Sequence, residues 1–154
     1  LICKKHINQY GIYTPRFTTT INKKKMNQKQ TVNFINKTSG TKLIEHTDEF
    51  SSYDAFDDNY IVEIKNRRAN HKDPFLEVNK TVINMKKAKD QNKDYLYIQA
   101  DGTGVYVFNI SKLDLDSIPK RFYNVPATTD FNNKERVNKE FWVLKKSYAT
   151  IINI

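Results

Sequence analysis

The chain has 154 residues, a single cysteine and a formal net charge of +9, with a pI of about 9.5. Cys3 alone cannot form an internal disulfide, no apolar run approaches the ~20 residues of a membrane span, and no secretory signal pattern opens the chain. A reducing, intracellular setting is therefore expected (cytoplasm, nucleoid or nucleus, or a virion), and a basic surface of this kind favours polyanionic partners.

Residues 1–27 read as a basic, Thr- and Asn-rich arm, with Ile7, Tyr10, Ile12, Tyr13 and Phe17 as its packing residues and Lys23-Lys24-Lys25 as a solvated loop. Residues 28–154 read as one domain, a length that suits a single core. Asn27 to Lys37 has helical patterning, with Val32, Phe34 and Ile35 on an apolar side and Ser39-Gly40 as a stop. Lys42 to His46 and Tyr53 to Phe56 read as short strands.

Tyr60 to Asn66 is rich in β-branched and aromatic residues and reads as the third strand. Asp58-Asn59 suits a two-residue turn, because both side chains tolerate positive φ. That turn sets Asp57 against Tyr60, Phe56 against Ile61, Ala55 against Val62 and Asp54 against Glu63. Strand side chains alternate between faces, so Ile61, Glu63 and Lys65 share one face. Directly opposed carboxylates repel unless a cation lies between them, and Mg²⁺ prefers such oxygen ligands together with water and phosphate.

Further along, Asp73-Pro74 predicts a helix start, with Asp73 as N-cap. Phe75, Val78, Val82 and Met85, with Leu76 and Ile83 beside them, form its expected core stripe, and Lys86, Lys87 and Lys89 favour its C-terminal end. Tyr95 to Gln99 and Val105 to Ile110 predict antiparallel strands joined by a turn at Asp101-Gly102-Thr103-Gly104. The Gly-x-Gly there is too short to cradle a dinucleotide, so no nucleotide cofactor is expected. In the last third, Pro119 and Pro126 break the pattern. Asn132 to Glu140 reads as a short helix, and Phe141 to Leu144 and Tyr148 to Ile152 as closing strands. His6, His46 and His71 lack zinc-ligand spacing.

Asp54, followed on the next strand by Glu63-Ile64-Lys65, resembles the PD-(D/E)xK nuclease superfamily over roughly residues 28–110. The resemblance implies an α/β (α+β) fold with a restriction-endonuclease-like core: a mixed central β-sheet flanked by helices, in the order αβββαβ. It implies a Mg²⁺-dependent endonuclease, with Mn²⁺ as a substitute, that hydrolyses DNA in the manner of restriction, homing or junction-resolving enzymes. The catalytic residues would be Asp54, Glu63 and Lys65, and the metal ligands Asp54, Glu63 and the Ile64 carbonyl. Arg67, Arg68, Lys72 and Lys80 would contact nucleic acid, and a homodimer would cut two strands. A viral or mobile-element setting suits the lysine- and asparagine-rich composition.

Several choices stay open at this level. Asp57 and Asp58 compete with Asp54, although Asp57 falls on the wrong face by parity and Asp58 lies in the turn. Many family members carry a glutamate on the first helix, whereas no acidic residue occurs between positions 1 and 44. Gln28, Gln30 or Glu45 are the available stand-ins. Lys80 reads as a lysine on the exposed side of its helix that could turn toward the site. A non-catalytic nucleic-acid-binding or virion-associated module with the same fold is the alternative function.

Overall fold

A computed structural model describes residues 26–68, 73–127 and 134–152. Most of the expected basic arm, residues 1–25, lies outside the described residues, as does Lys72. Helix α1 (Gln28–Ser39) starts where the sequence supplies reciprocal caps: Asn27 accepts from the Gln30 N–H, and Gln30 accepts from the Asn27 N–H. It stops at Gly40, whose φ of 70° is accessible without a Cβ penalty. Strands β1 (Ile44–Glu45), β2 (Ala55–Phe56) and β3 (Tyr60–Asn66) follow as an antiparallel meander. After β4 (Phe75–Glu77) and helix α2 (Val78–Asp90), strand β5 (Asp94–Asp101) returns parallel to β3. Strand β6 (Gly104–Asn109) turns back antiparallel to β5.

The main sheet has the order β1-β2-β3-β5-β6-β9, closed at its far edge by β9 (Thr150–Ile152). A smaller sheet, β4-β8-β7, is built from β4, β7 (Lys120–Pro126) and β8 (Arg136–Val143). The fold is thus mixed α+β with two helices on opposite faces of a mixed sheet. The alternation of β3 separates two cores. Ile61 packs with Tyr95, Tyr97, Phe108, Leu76 and Trp142 on the α2 side, while Val62 and Ile64 pack with Val32, Ile35, Leu96 and Ile98 on the α1 side. Among the described residues, no helix is long and apolar enough to cross a membrane.

Three expectations are corrected. The second helix begins at Val78, not Pro74, because Phe75, Leu76 and Glu77 pair with Val143, Trp142 and Phe141 of β8. Leu76 is fully buried in that arrangement, and ladder hydrogen bonds outweigh the local capping signal of Asp73-Pro74. The expected core stripe holds only in part: Val78 and Met85 pack against the core, whereas Val82 and Ile83 are 56% and 50% exposed and α2 buries Thr81, Asn84 and Ala88. Finally, the part of Asn132–Glu140 that is described belongs to strand β8, paired along its length with β7, a strand the prolines obscured. Pro119 and Pro126 bracket β7, where Pro is tolerated at strand ends.

Candidate active site

The β2–β3 hairpin has the expected register: Ala55 pairs with Val62 and Phe56 with Ile61. Asp57 Oδ1 accepts from the N–H groups of Asn59 and Tyr60, both at 2.8 Å, so this aspartate closes the turn. At the other end the Asp54 N–H donates to the carbonyl of Val62 at 2.8 Å, the residue with which Ala55 already pairs, so the ladder bulges there and its regular register stops short of the expected pairing of Asp54 with Glu63. Beyond Asp54, β2 has ended, and its carboxylate takes over the ladder: Oδ2 accepts from the Ile64 N–H at 2.6 Å. In a strand the N–H and C=O of one residue point to the same side. The Ile64 carbonyl is therefore directed toward the Asp54 edge of the strand, as a third oxygen donor requires.

Glu63 is 2% exposed. Its Oε1 lies 3.0 Å from Lys80 Nζ and 3.4 Å from Lys65 Nζ, and its Oε2 accepts from the Tyr95 hydroxyl at 2.8 Å. A carboxylate this deeply buried persists only when paired and hydrogen-bonded, and here three donors satisfy it. Lys80 is corrected in one respect: its side chain is only 26% exposed and turns inward onto Glu63. Lys65 is 41% exposed and the more weakly held of the two.

Burial pushes the Asp54 carboxyl above its ordinary range. The Ile64 N–H, Lys80 and Lys65 pull it down, and the Glu63 charge pushes it up. Asp54 and Glu63 thus share one electrostatic site. Burial, reinforced by Glu63, pushes the phenols of Tyr95 and Tyr97 well above their ordinary range, so both remain protonated donors. Tyr97 donates to the Phe75 carbonyl at 3.2 Å and lies beside Arg67, whose N–H is anchored to the Ala100 carbonyl at 2.8 Å. Arg67 follows Glu63 and Lys65 on one face by parity and is half-buried, whereas Arg68 is exposed.

Of the three candidate stand-ins, Gln28 lies against the Asp54 backbone. Its Nε2 reaches the Asp54 carbonyl at 3.4 Å, while Gln30 is engaged in the helix cap. Glu45 pairs with Ala55 in β1, one residue pair away from Asp54. A cleft of about 290 Å³ opens beside Asp54, lined by Gln28, His46, Asp48, Glu49 and Ser51 among others. Its walls are acidic rather than basic. The cations Lys65, Lys80 and Arg67 belong to the sheet face and α2. His46 accepts from the Asp48 N–H at 3.1 Å and packs edge-on against Tyr53 and Phe56, which makes it a turn residue and not a base.

Tyr95, Thr81 and Asn84 were not legible as site residues. The alternation Tyr95, Tyr97, Gln99 opposite Leu96, Ile98 carried the only signal, and it could be used only once the partner strand of β5 was known. Among the described residues no three His, Cys, Asp or Glu side chains cluster as a metal centre. The carboxylates of Asp54 and Glu63 and the Ile64 carbonyl are oxygen donors of the kind a hard divalent cation takes, and both Glu63 oxygens are already met by Lys80, Lys65 and Tyr95. No family model, no curated protein and no solved structure matches this chain.

Proposed function

We propose that this chain is a Mg²⁺-dependent nuclease of the PD-(D/E)xK type that hydrolyses phosphodiester bonds in DNA. The observation that carries the reading is that the Asp54 carboxylate accepts from the Ile64 N–H and feels the Glu63 charge, while Lys65 contacts Glu63 on the same strand. The order α1-β1-β2-β3-β4-α2-β5, with β5 parallel to β3, supports it, since it differs from the order the resemblance implies only by β4, which belongs to the smaller sheet.

In this reading Asp54, Glu63 and the Ile64 carbonyl hold the cation, which when bound acts as a Lewis acid on the phosphate and lowers the pKa of water. The protein groups have separate tasks. Tyr95 and Lys80 fix the Glu63 carboxylate from below, so its orientation is set before substrate arrives. Lys65, the more exposed ammonium, stabilises the negative charge that accumulates as a water oxygen joins phosphorus and one P–O bond breaks. Arg67 and Arg68 hold flanking phosphates. Gln28 stands in for the first-helix acid, as a neutral contact near Asp54.

A non-catalytic binding module remains the second reading, favoured by one observation: both lysines are engaged with Glu63, a satisfied charge cluster in its own right. The readings separate on one experiment. Purified protein is incubated with duplex and branched DNA in Mg²⁺, in Mn²⁺ and in EDTA, alongside Glu63→Gln and Lys65→Ala. The nuclease reading expects cleavage in either metal, none in EDTA, none from Glu63→Gln, and a rate lowered by orders of magnitude in Lys65→Ala with DNA affinity in Ca²⁺ nearly unchanged. Metal-independent cleavage, or wild-type rates from either variant, would sink it.

A further inference from the structure

The face of β5 that carries Tyr95 and Tyr97 continues into Gln99 and Asp101. Lys65 and Gln99 are in register on the parallel strands β3 and β5. Neighbouring strands lie about 4.8 Å apart, and in-register residues project to one face, so the four-carbon arm of Lys65 is long enough to span to the Gln99 carboxamide once it leaves Glu63. Gln99 is fully buried. Its Nε2 donates to Asp101 Oδ2 at 3.2 Å, and its Oε1 has no hydrogen-bond partner among the described residues.

The amide cannot turn over. Asp101 is an acceptor held in place by Lys146 at 2.8 Å, by the Thr103 N–H at 2.8 Å and by the Thr103 hydroxyl at 2.5 Å. The amino end of Gln99 must face that carboxylate, so the carbonyl end faces away from it. A buried acceptor without a donor costs about 1–3 kcal/mol. Gln99 has one in-register neighbour on each side of this face. On the β6 side, the Tyr106 hydroxyl is already within 2.6 Å of Thr103 Oγ1. On the β3 side stands Lys65, in a 3.4 Å contact with a carboxylate it shares with Lys80.

We propose that Gln99 is a positioning residue for Lys65: its Oε1 accepts a hydrogen bond from the Lys65 ammonium when that ammonium leaves Glu63 for the substrate side. Asp101, pinned by Lys146 and Thr103, keeps the amide turned the way this bond requires. The hydrogen bond stands on the geometry alone, and its use in cleavage rests on the nuclease reading.

Two measurements test it. The first is a double-mutant cycle on single-turnover cleavage of duplex DNA in Mg²⁺. Gln99→Met should slow the wild-type background about tenfold, leave affinity in Ca²⁺ unchanged, and have no effect in the Lys65→Ala background. Equal slowing in both backgrounds, or no slowing in the wild type, would overturn the proposal. The second needs no activity. In metal-free protein carrying ¹⁵N-lysine and Glu63→Leu, the Lys65 ammonium protons should exchange several-fold faster when Gln99→Met is added. Unchanged exchange would overturn the proposal. If Glu63→Leu does not fold, the near-isosteric Glu63→Gln protein serves, in which the charge that holds Lys65 is gone and Gln99→Met should shift the Lys65 Nζ signal and leave that of Lys80 in place; an unmoved Lys65 signal is again fatal. A wild-type protein that cleaves nothing defeats the nuclease reading, while the ammonium measurement still decides the Lys65–Gln99 bond.

Discussion

Lys80→Met is the most discriminating perturbation of the site, because it removes the closer of two cations from a carboxylate with little exposure to solvent. Glu63 is 2% exposed and Lys80 lies 3.0 Å from its Oε1. Breaking a fully buried pair by removing one partner costs about 3–5 kcal/mol. Here Lys80 keeps 26% of its side chain in solvent, and Lys65 and the Tyr95 hydroxyl remain on the carboxylate. The expected loss is therefore about 1–2 kcal/mol, below that range. In a domain of this length each kcal/mol moves Tm by roughly 2–4 °C, so a drop of about 2–8 °C is expected. Lys65→Ala, which removes a longer contact from a more exposed side chain, should cost under about 1 kcal/mol. The assay is urea denaturation at neutral pH, with thermal melts as a second probe, of both variants in the wild-type and Glu63→Gln backgrounds. Neutralising Glu63 removes the charge that Lys80 serves, so Lys80→Met should cost little there. An equal loss in both backgrounds, or a larger loss from Lys65→Ala than from Lys80→Met, would refute the view that Lys80 is the structural counter-ion and Lys65 the free one.

The two perturbed aspartates should give opposite pH signatures. Asp54 is raised in the folded state, so its contribution to stability is present below the ordinary aspartate pKa and is lost as pH rises through the folded value. Asp54→Asn, which keeps an acceptor for the Ile64 N–H, should raise the denaturation midpoint at pH 7 relative to pH 3. Burial pushes the Asp101 carboxyl up, but hydrogen bonds from Lys146, Thr103 and Gln99 outweigh it and hold the group below its ordinary range. Its contribution is present at neutral pH and is lost as pH falls through that lowered value, so Asp101→Asn should be destabilising at pH 7 and converge on wild type in acid. Coincident pH profiles for the two variants would contradict both assignments. For DNA binding in Ca²⁺, Arg67→Ala and Arg68→Ala should each flatten the log affinity against log salt slope by about 0.9 on duplex DNA if each holds one phosphate, and an unchanged slope would remove them from the interface.

The hairpin at the centre of the site was legible in the sequence because its determinants are local. Period-two alternation from Tyr60 to Asn66 and an Asp-Asn turn suffice to set Ala55 against Val62 and Phe56 against Ile61 and to part Glu63 and Lys65 from Val62 and Ile64. Helix α1 was legible for the same reason, since Asn27, Gln30 and Gly40 act within a turn of their own positions. What lay beyond reach depended on partners far along the chain. Residues 75–77 carry a helix-start signal, yet they form a strand because Trp142 and its neighbours supply a ladder some 65 positions away. On α2 the apolar residues Val82 and Ile83 face solvent while Thr81 and Asn84 face inward, the reverse of what hydrophobicity alone selects. That choice follows from what lies beneath the helix: a buried carboxylate and the tyrosine hydroxyl that serves it have to be met by polar groups. Lys80 turned inward with that face, and Gln99 came beside Lys65 only when β5 returned parallel to β3. Sequence by itself determined the hairpin register and the strand positions of the two carboxylates, through dihedral preference and alternation. Only tertiary structure decided which cations meet them, because that depends on which face of a later helix and strand is pressed against the hairpin.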